Sequence, residues 1–238
     1  MILIKETIKT VLSVNYEASQ KIAWEVLKQY ADYKLPISLG EIIKKIPNIH
    51  LMTYSKIAAL YGCKPNEVSD ITGSEDGGIL WYRPSKNDCV IAYDDVSCSI
   101  QRQRFTVAHE LGHFFLGHYK FKNNSEIIGG KLELSDRDSY SIYEQEANYF
   151  AKRLLVPIPV LMDVHEQIPV DSYLLACVFG VSLQCSEYTI GNVNKLVDIY
   201  HFYPHDAELS LKYRSAVNEI VDRYRVLDLL TINKNIAK

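Results

Sequence analysis

Residues 109–113 read His-Glu-Leu-Gly-His, and this pattern constrains the fold more than any other because its chemistry requires an α-helix. Residues at positions i and i+4 stack on one face of a helix. A helix would therefore direct the imidazoles of His109 and His113 towards one metal ion, with Glu110 about 100° around the same helix. That arrangement is typical of zinc hydrolases, in which the glutamate acts as a base. The pattern predicts a zinc site with His109 and His113 as ligands and Glu110 as the catalytic base.

The helix that carries this motif is predicted to begin near Ser97 or Ser99 and to end near Gly117. Gly112 lies in its middle, where glycine costs about 1 kcal/mol relative to alanine. A close backbone neighbour at the metal would explain why a glycine is tolerated there.

A third protein ligand is still needed, because catalytic zinc is usually held by three protein ligands and a water. In metzincins the motif continues as HExxHxxGxxH, but Gly117 and His118 are each displaced from that spacing by one position. His118 is therefore a poor third ligand. We expect it to be a capped or surface histidine just beyond the helix end.

A second long helix, predicted from about Ser139 to Val156, offers a glutamate instead. Glu144 shares a helical face with Ala147 and Ala151, and these small residues would let the two helices approach closely. Asn148, one turn after Glu144, could orient a metal ligand through a hydrogen bond.

Two alternatives remain open for this second helix. The stretch from Ser141 to Glu144 fits a capping box, in which the glutamate only stabilises a helix start. Glu146 is the alternative metal ligand, and it could equally be a solvated surface charge. Glu144 is preferred because it alone shares a face with the two alanines.

The rest of the chain combines short helices with a few strands, which predicts an α+β fold. Gly78–Tyr82 and Cys89–Tyr93 are predicted to form an antiparallel hairpin across the turn-rich residues 83–88. Ile49–Tyr54 is a third strand candidate. Further helices are predicted at about 17–30, 39–46, 56–61, 171–179, 183–196 and 206–230. Residues 119–138 are predicted to be a polar loop or an irregular hairpin near the active-site cleft.

Composition narrows the class of protein. Hydrophobic residues make up 47% and charged residues 23% of the 238 residues, as in ordinary globular proteins, and the net charge of −3 does not suit a nucleic-acid binder. The five cysteines are odd in number and contain no CxxC pair, which indicates free thiols and a reducing compartment. With no apolar run of about 18 residues and no signal-peptide core, we predict a cytoplasmic protein that does not bind membranes.

Two segments resemble a known family. FTVAHELGHFFLGH, at residues 105–118, and EQEANYFAKRLLVP, at residues 144–157, resemble the FTlAHELGH and ExxANxFAxxLLMP segments of the ImmA/IrrE metallo-endopeptidases. Both segments match in order and spacing, and the resemblance covers roughly residues 17–200. Val156 stands where the family usually has Met.

The resemblance implies a mainly helical, zincin-like α+β domain of the gluzincin type, with a small antiparallel sheet and additional C-terminal helices. It assigns His109, His113 and Glu144 as metal ligands and Glu110 as the catalytic base. Zinc is the expected ion and manganese the alternative. We expect a peptidase domain over residues 1–200, including a helix pair at 171–196, and a helical tail over residues 201–238.

The resemblance also implies a partner. Relatives cleave repressors of the helix-turn-helix class, so the expected function is a zinc-dependent endopeptidase that cleaves one transcriptional repressor and derepresses mobile-element or stress genes. The alternatives are an inert zincin-fold regulatory module and a DNA-binding protein that uses the helix pair. Direct nucleic-acid binding is not expected, since the second helix of that pair has no arginine. The donor that would stabilise the reaction intermediate remains open among Tyr140, Tyr143, His165 and Tyr173.

Overall fold

The computed structural model describes residues 13–72, 77–119, 137–200 and 206–236. Within these ranges the chain forms ten helices and three strands. The helices are α1 (Tyr16–Tyr30), α2 (Leu39–Lys44), α3 (Tyr54–Tyr61), α4 (Pro65–Thr72), α5 (Ile100–Phe115), α6 (Arg137–Leu155), α7 (Ile158–His165), α8 (Ser172–Phe179), α9 (Leu183–Tyr200) and α10 (Ala207–Ile236). The strands are β1 (Ile49–Thr53), β2 (Gly78–Arg83) and β3 (Asp88–Tyr93). The predicted mainly helical α+β class is confirmed.

The three strands form one sheet in the order β1-β3-β2. The predicted hairpin is confirmed, because β2 and β3 pair antiparallel with Leu80 opposite Ile91. The expectation of a purely antiparallel sheet is wrong, since β1 pairs parallel to β3 with Leu51 beside Ile91. Parallel neighbours need a long crossover, and α3, α4 and β2 supply it here. The sheet is therefore mixed.

The motif helix α5 lies between the sheet and α6 and contacts both. It begins where the sequence predicts, because the hydroxyl of Ser99 accepts a hydrogen bond from the Arg102 backbone N–H at 3.2 Å. Its inner face is apolar and fully buried at Ala108 and Leu111. The same burial continues on α6 at Ala151. This shared core fixes the two helices that carry the predicted site.

Two helices were not predicted from the sequence, namely α4 and α7. The residue before α7 is Pro157, and Pro159 lies in its first turn. Prolines in a sequence usually indicate that a helix stops, but proline is well tolerated at the first turn, where its missing N–H has no partner to lose. The prolines therefore mark the start of α7 as well as the end of α6.

The last helix, α10, packs against α1 and α7. One face of α10 is buried in the same core as α1, and it comprises Leu209, Tyr213, Val217 and Val221. The proposed boundary between a peptidase domain and a helical tail near residue 200 stays a prediction. No single helix in the described ranges is long and apolar enough to cross a membrane, and only α8 and α9 together, bent by 115°, meet those criteria of length and composition.

Candidate metal centre

Three of the predicted residues converge at one point between α5 and α6. The Nε2 atoms of His109 and His113 lie 2.9 Å apart. The two carboxylate oxygens of Glu144 lie 3.1 Å from His109 Nε2 and 3.3 Å from His113 Nε2. The structure thus brings together the two histidines of the motif and the preferred glutamate.

This donor set fits a divalent metal ion. A tetrahedral zinc ion with bonds of about 2.0–2.1 Å has its ligand atoms about 3.3 Å from one another, close to the spacings found here. Two imidazole nitrogens and one carboxylate are also the ligands found in one common class of catalytic zinc site. Among the described residues, His109, His113 and Glu144 are the one group of histidine, cysteine and acidic side chains arranged to hold a metal.

The outer nitrogen of His109, meaning the ring nitrogen Nδ1 that points away from the metal site, contacts an amide. Nδ1 of His109 lies 3.1 Å from Oδ1 of Asn148 on α6. Since an amide oxygen only accepts, Nδ1 carries the proton in the neutral imidazole, and Nε2 is the atom that faces the metal site and would bind the ion. Asn148 thus contacts His109 one turn after Glu144, and its role in orienting a metal ligand stays a prediction.

The outer nitrogen of His113 is held by a second histidine. Nδ1 of His113 lies 3.0 Å from Nδ1 of His118, and Nε2 of His118 lies 3.1 Å from Oε2 of Glu146. The prediction of a capped or surface position for His118 is wrong, because its side chain is only 4% exposed. Its place follows from Gly117, whose φ of 75° turns the chain back beside the end of α5.

Two interpretations of the second helix can now be corrected. The helix α6 begins at Arg137, seven residues before Glu144, so Ser141 and Glu144 do not form a capping box at its start. Glu146 is not a solvated surface charge, because its side chain is 13% exposed and bonded on both sides. Its Oε1 accepts the backbone N–H of Asn15 at 2.8 Å while Oε2 faces His118.

The close approach of the two helices depends on Gly112. A Cβ atom at this position would lie 3.1 Å from the Cα and carbonyl oxygen of Ala147 and 3.1 Å from the Phe150 ring. The backbone neighbour expected from the sequence is therefore Ala147 on α6, the helix that also carries Glu144. Both small residues let the carboxylate reach the two imidazoles.

A family comparison covers this whole arrangement. The family model for the IrrE N-terminal-like domain, Peptidase M78, matches residues 90–190, from β3 into α9. The match agrees with the family resemblance found in the sequence. The match supports a metallopeptidase-like function and implies a divalent metal, in agreement with the donor set. No curated protein sequence matches the chain.

Two of the three donors in the matched segment, His113 and Glu144, have pKa shifts that favour the form able to bind a metal. Burial lowers the pKa of His113 to about 4, which leaves that imidazole neutral at pH 7. Burial raises the pKa of Glu144, but its contacts with the His109 and His113 imidazoles outweigh burial and hold the pKa well below the ordinary value. Burial lowers the pKa of His109, while its bond to Glu144 and the charge of Glu110 reverse the direction. A neutral imidazole beside an ionised carboxylate can donate lone pairs to a cation.

Glu110 lies next to this cluster but outside it. It is on α5, 8% exposed, and close enough for its charge to raise the pKa of His109. Its side chain has partners of its own within the fold. Its role as base in the IrrE N-terminal-like domain stays a prediction from the motif.

The four candidates for the intermediate-stabilising donor are placed differently. Tyr143 directly precedes Glu144, and its ring packs 4.5 Å from the ring of His118. His165 and Tyr173 are exposed on α7 and α8. The Tyr140 side chain and most of the predicted loop 119–138 lie outside the described residues. Of the three described side chains, Tyr143 is the one with a contact to the residues around the site.

Proposed function

We propose that the protein is a zinc-dependent endopeptidase that cleaves one specific protein, a helix-turn-helix repressor, in the cytoplasm. The observation that carries the peptidase part is the convergence of two imidazole nitrogens and a carboxylate within 3.3 Å of one another, beside Glu110. The IrrE N-terminal-like match supports the same reaction class.

The chain's own residues divide the chemistry between them. A bound divalent ion would supply Lewis acidity, which lowers the pKa of a water and polarises a carbonyl. His109, His113 and Glu144 would hold that ion. Glu110 would take the proton from the attacking water at its carboxylate and deliver it to the leaving amine. The family's spacing puts this base one residue from the first ligand.

The three donor side chains differ in their exposure to solvent. The Glu144 side chain is 27% exposed and that of His109 is 15% exposed, whereas His113 is 8% exposed. A catalytic metal site keeps one position open for water and substrate, unlike a structural site that is closed by four protein ligands. Three protein donors with graded exposure support a catalytic role.

Specificity for a repressor is supported by the family resemblance and by the setting. A peptidase of broad specificity would damage other proteins in the cytoplasm, so a restricted substrate is expected. All five cysteines are free thiols, which suits a reducing compartment. The repressor itself is inferred from the family resemblance and needs a direct test.

The test is co-expression of the protein with the helix-turn-helix repressor encoded nearest to its gene, followed by mass spectrometry of the fragments. One discrete cut is expected with the wild-type protein. Glu110→Gln preserves the shape of the side chain but cannot take a proton, so the cut should slow by at least about 100-fold while the metal is retained.

Two results would overturn parts of the proposal. Cutting by a metal-loaded Glu110→Gln variant at the wild-type rate would reject Glu110 as the base. An intact repressor together with digestion of unrelated unfolded proteins at many sites would reject the regulatory role and leave a peptidase of broad specificity.

The alternative of DNA binding by α8 and α9 has less support. Arg104 of α5 donates hydrogen bonds to the carbonyls of Gly180 and Phe179, at 3.0 and 3.3 Å, in the turn between these helices. The same guanidinium reaches the Ile37 carbonyl at 3.0 Å. The turn is thereby fixed to the motif helix, which gives the helix pair a role in supporting the site.

A further inference from the structure

We propose that His118 and Glu146 are a positioning pair that holds the proton of His113 on Nδ1 and so keeps the Nε2 lone pair of His113 directed into the metal site. This inference rests on the proposed metal site. It gives a positioning role to two residues that the sequence analysis had weighed only as metal ligands, as a helix cap or as surface groups.

The direction of the hydrogen bonds from Glu146 through His118 to His113 follows from the carboxylate of Glu146. Glu146 Oε1 accepts the Asn15 backbone N–H and Oε2 lies 3.1 Å from His118 Nε2, so the carboxylate acts as an acceptor on both sides. His118 Nε2 therefore carries the proton in the neutral ring. His118 Nδ1 is then the acceptor for the Nδ1–H of His113, 3.0 Å away.

The pair is held rigidly. His118 is buried and its ring packs against Tyr143 at 4.5 Å between centroids. Glu146 is fixed from the other side by the start of α1 through Asn15. A buried imidazole whose neighbours do not move has one favourable tautomer, and this tautomer determines that of His113.

The expected consequence is a change in metal affinity without loss of the ligands. When an outer partner of a ligating histidine is removed, metal affinity typically falls about 10- to 100-fold. His118→Leu removes the acceptor and should produce a loss in that range. His118→Asn places an amide oxygen near the former Nδ1 position, so it should recover most of the affinity.

The carboxylate end offers a second matched pair of variants. Glu146→Gln keeps an oxygen that can accept from His118 and should bind zinc nearly as well as the wild type. Glu146→Leu removes that acceptor and should lower the affinity in the same direction as His118→Leu. Zinc affinity of each full-length variant is measured by competition with a chromophoric chelator.

A histidine outside the site provides the control. His50 on β1 also contacts a carboxylate, with its Nε2 3.2 Å from Asp88 Oδ2, but its side chain is 51% exposed. His50→Leu makes the same chemical change and removes the same type of pair. It should leave zinc affinity unchanged.

The decisive readout is the tautomer of His113 in the metal-free protein, measured by nitrogen-15 NMR of the imidazole. The wild type should show Nδ1–H at His113, and His118→Leu should show a mixture of tautomers. A purely structural role for His118 would change stability but not this tautomer. If His118→Leu does not fold, the comparison of Glu146→Leu with Glu146→Gln gives the same answer.

The outcomes separate this inference from the proposed function. If His113 shows Nδ1–H in both wild type and His118→Leu, with equal zinc affinity, the positioning pair is rejected while the metal site stands. If His109→Ala and His113→Ala bind zinc as well as wild type, the metal site is rejected. The tautomer measurement still decides the hydrogen-bond chain in that case, because it needs no metal.

Discussion

The two histidines of the site differ in how their outer nitrogens are held. His109 contacts an amide, Asn148, which lies on the same helix as Glu144. His113 contacts a second imidazole, His118, which is in turn bonded to the carboxylate of Glu146. Both arrangements leave Nε2 with a lone pair for a metal, but one uses a single neutral group and the other uses two residues from separate segments.

Only one of these two outer contacts could be predicted from helical periodicity. Asn148 was predictable because it is one turn from Glu144 on one helix, and helical periodicity alone places it. The position of His118 depends on the left-handed conformation of Gly117 and on packing against Tyr143. Neither feature produces a periodic pattern in the sequence. The sequence signal for it was a histidine that follows a helix-ending glycine, five residues after a ligand.

The largest expected effect is the loss of either ligating imidazole. Structural zinc sites are stabilised by about 10–16 kcal/mol over four ligands, so by about 2.5 to 4 kcal/mol per ligand, which corresponds to roughly 70- to 900-fold in affinity. His109→Ala and His113→Ala should each abolish tight binding, whereas purified wild type should carry about one zinc per chain. Elemental analysis measures this, and equal metal in all three proteins would contradict the site. Manganese in place of zinc would change the ion but keep the ligands.

The second expected effect compares the two glutamates of α6. Glu144→Ala removes a donor that lies within 3.3 Å of both imidazoles, so zinc affinity should fall by about 100-fold or more. Glu146→Ala removes the partner of His118 and the acceptor of the Asn15 N–H but no metal donor, so the loss should stay within about 10- to 100-fold. Chelator competition ranks the two variants. The reverse order would move the ligand to Glu146.

Much of the fold and most of the site were predictable from the sequence for the same physical reason. The motif, the shared face of Glu144, Ala147 and Ala151, and the β2–β3 hairpin all depend on local periodicity and turns. The parallel pairing of β1 with β3 joins residues about 40 positions apart, and only tertiary packing decides it. Helix α7 was missed because its prolines also fit a break.

The third expected effect concerns the simpler of the two outer partners. Asn148→Ala leaves the His109 Nδ1–H without its acceptor, and affinity for zinc should fall by about 10- to 100-fold. Asn148→Asp provides a carboxylate oxygen at the same distance from the backbone and should retain the affinity of the wild type. Chelator competition on both variants tests the contact. Equal affinity for Asn148→Ala and wild type would show that the amide only packs there.

The smallest expected effect concerns the distance between α6 and α5, the helix that carries both ligating histidines. Gly112→Ala gains about 1 kcal/mol in helix propensity, but its Cβ would meet the Ala147 backbone at 3.1 Å. Backbone atoms cannot rotate away as a side chain can, so α6 must move outwards by a few tenths of an ångström, at an overpacking cost of about 1–3 kcal/mol. The net change in unfolding free energy should therefore be small and destabilising. Zinc affinity should fall by less than about 10-fold, because Glu144 moves with α6 while the outer partners stay bonded.

Gly40→Ala is the control variant, because a Cβ atom at Gly40 would meet no other atom within 4 Å. A fall in affinity for Gly112→Ala that matches Glu144→Ala would show that the helix spacing, more than either histidine's outer partner, sets the geometry of the site.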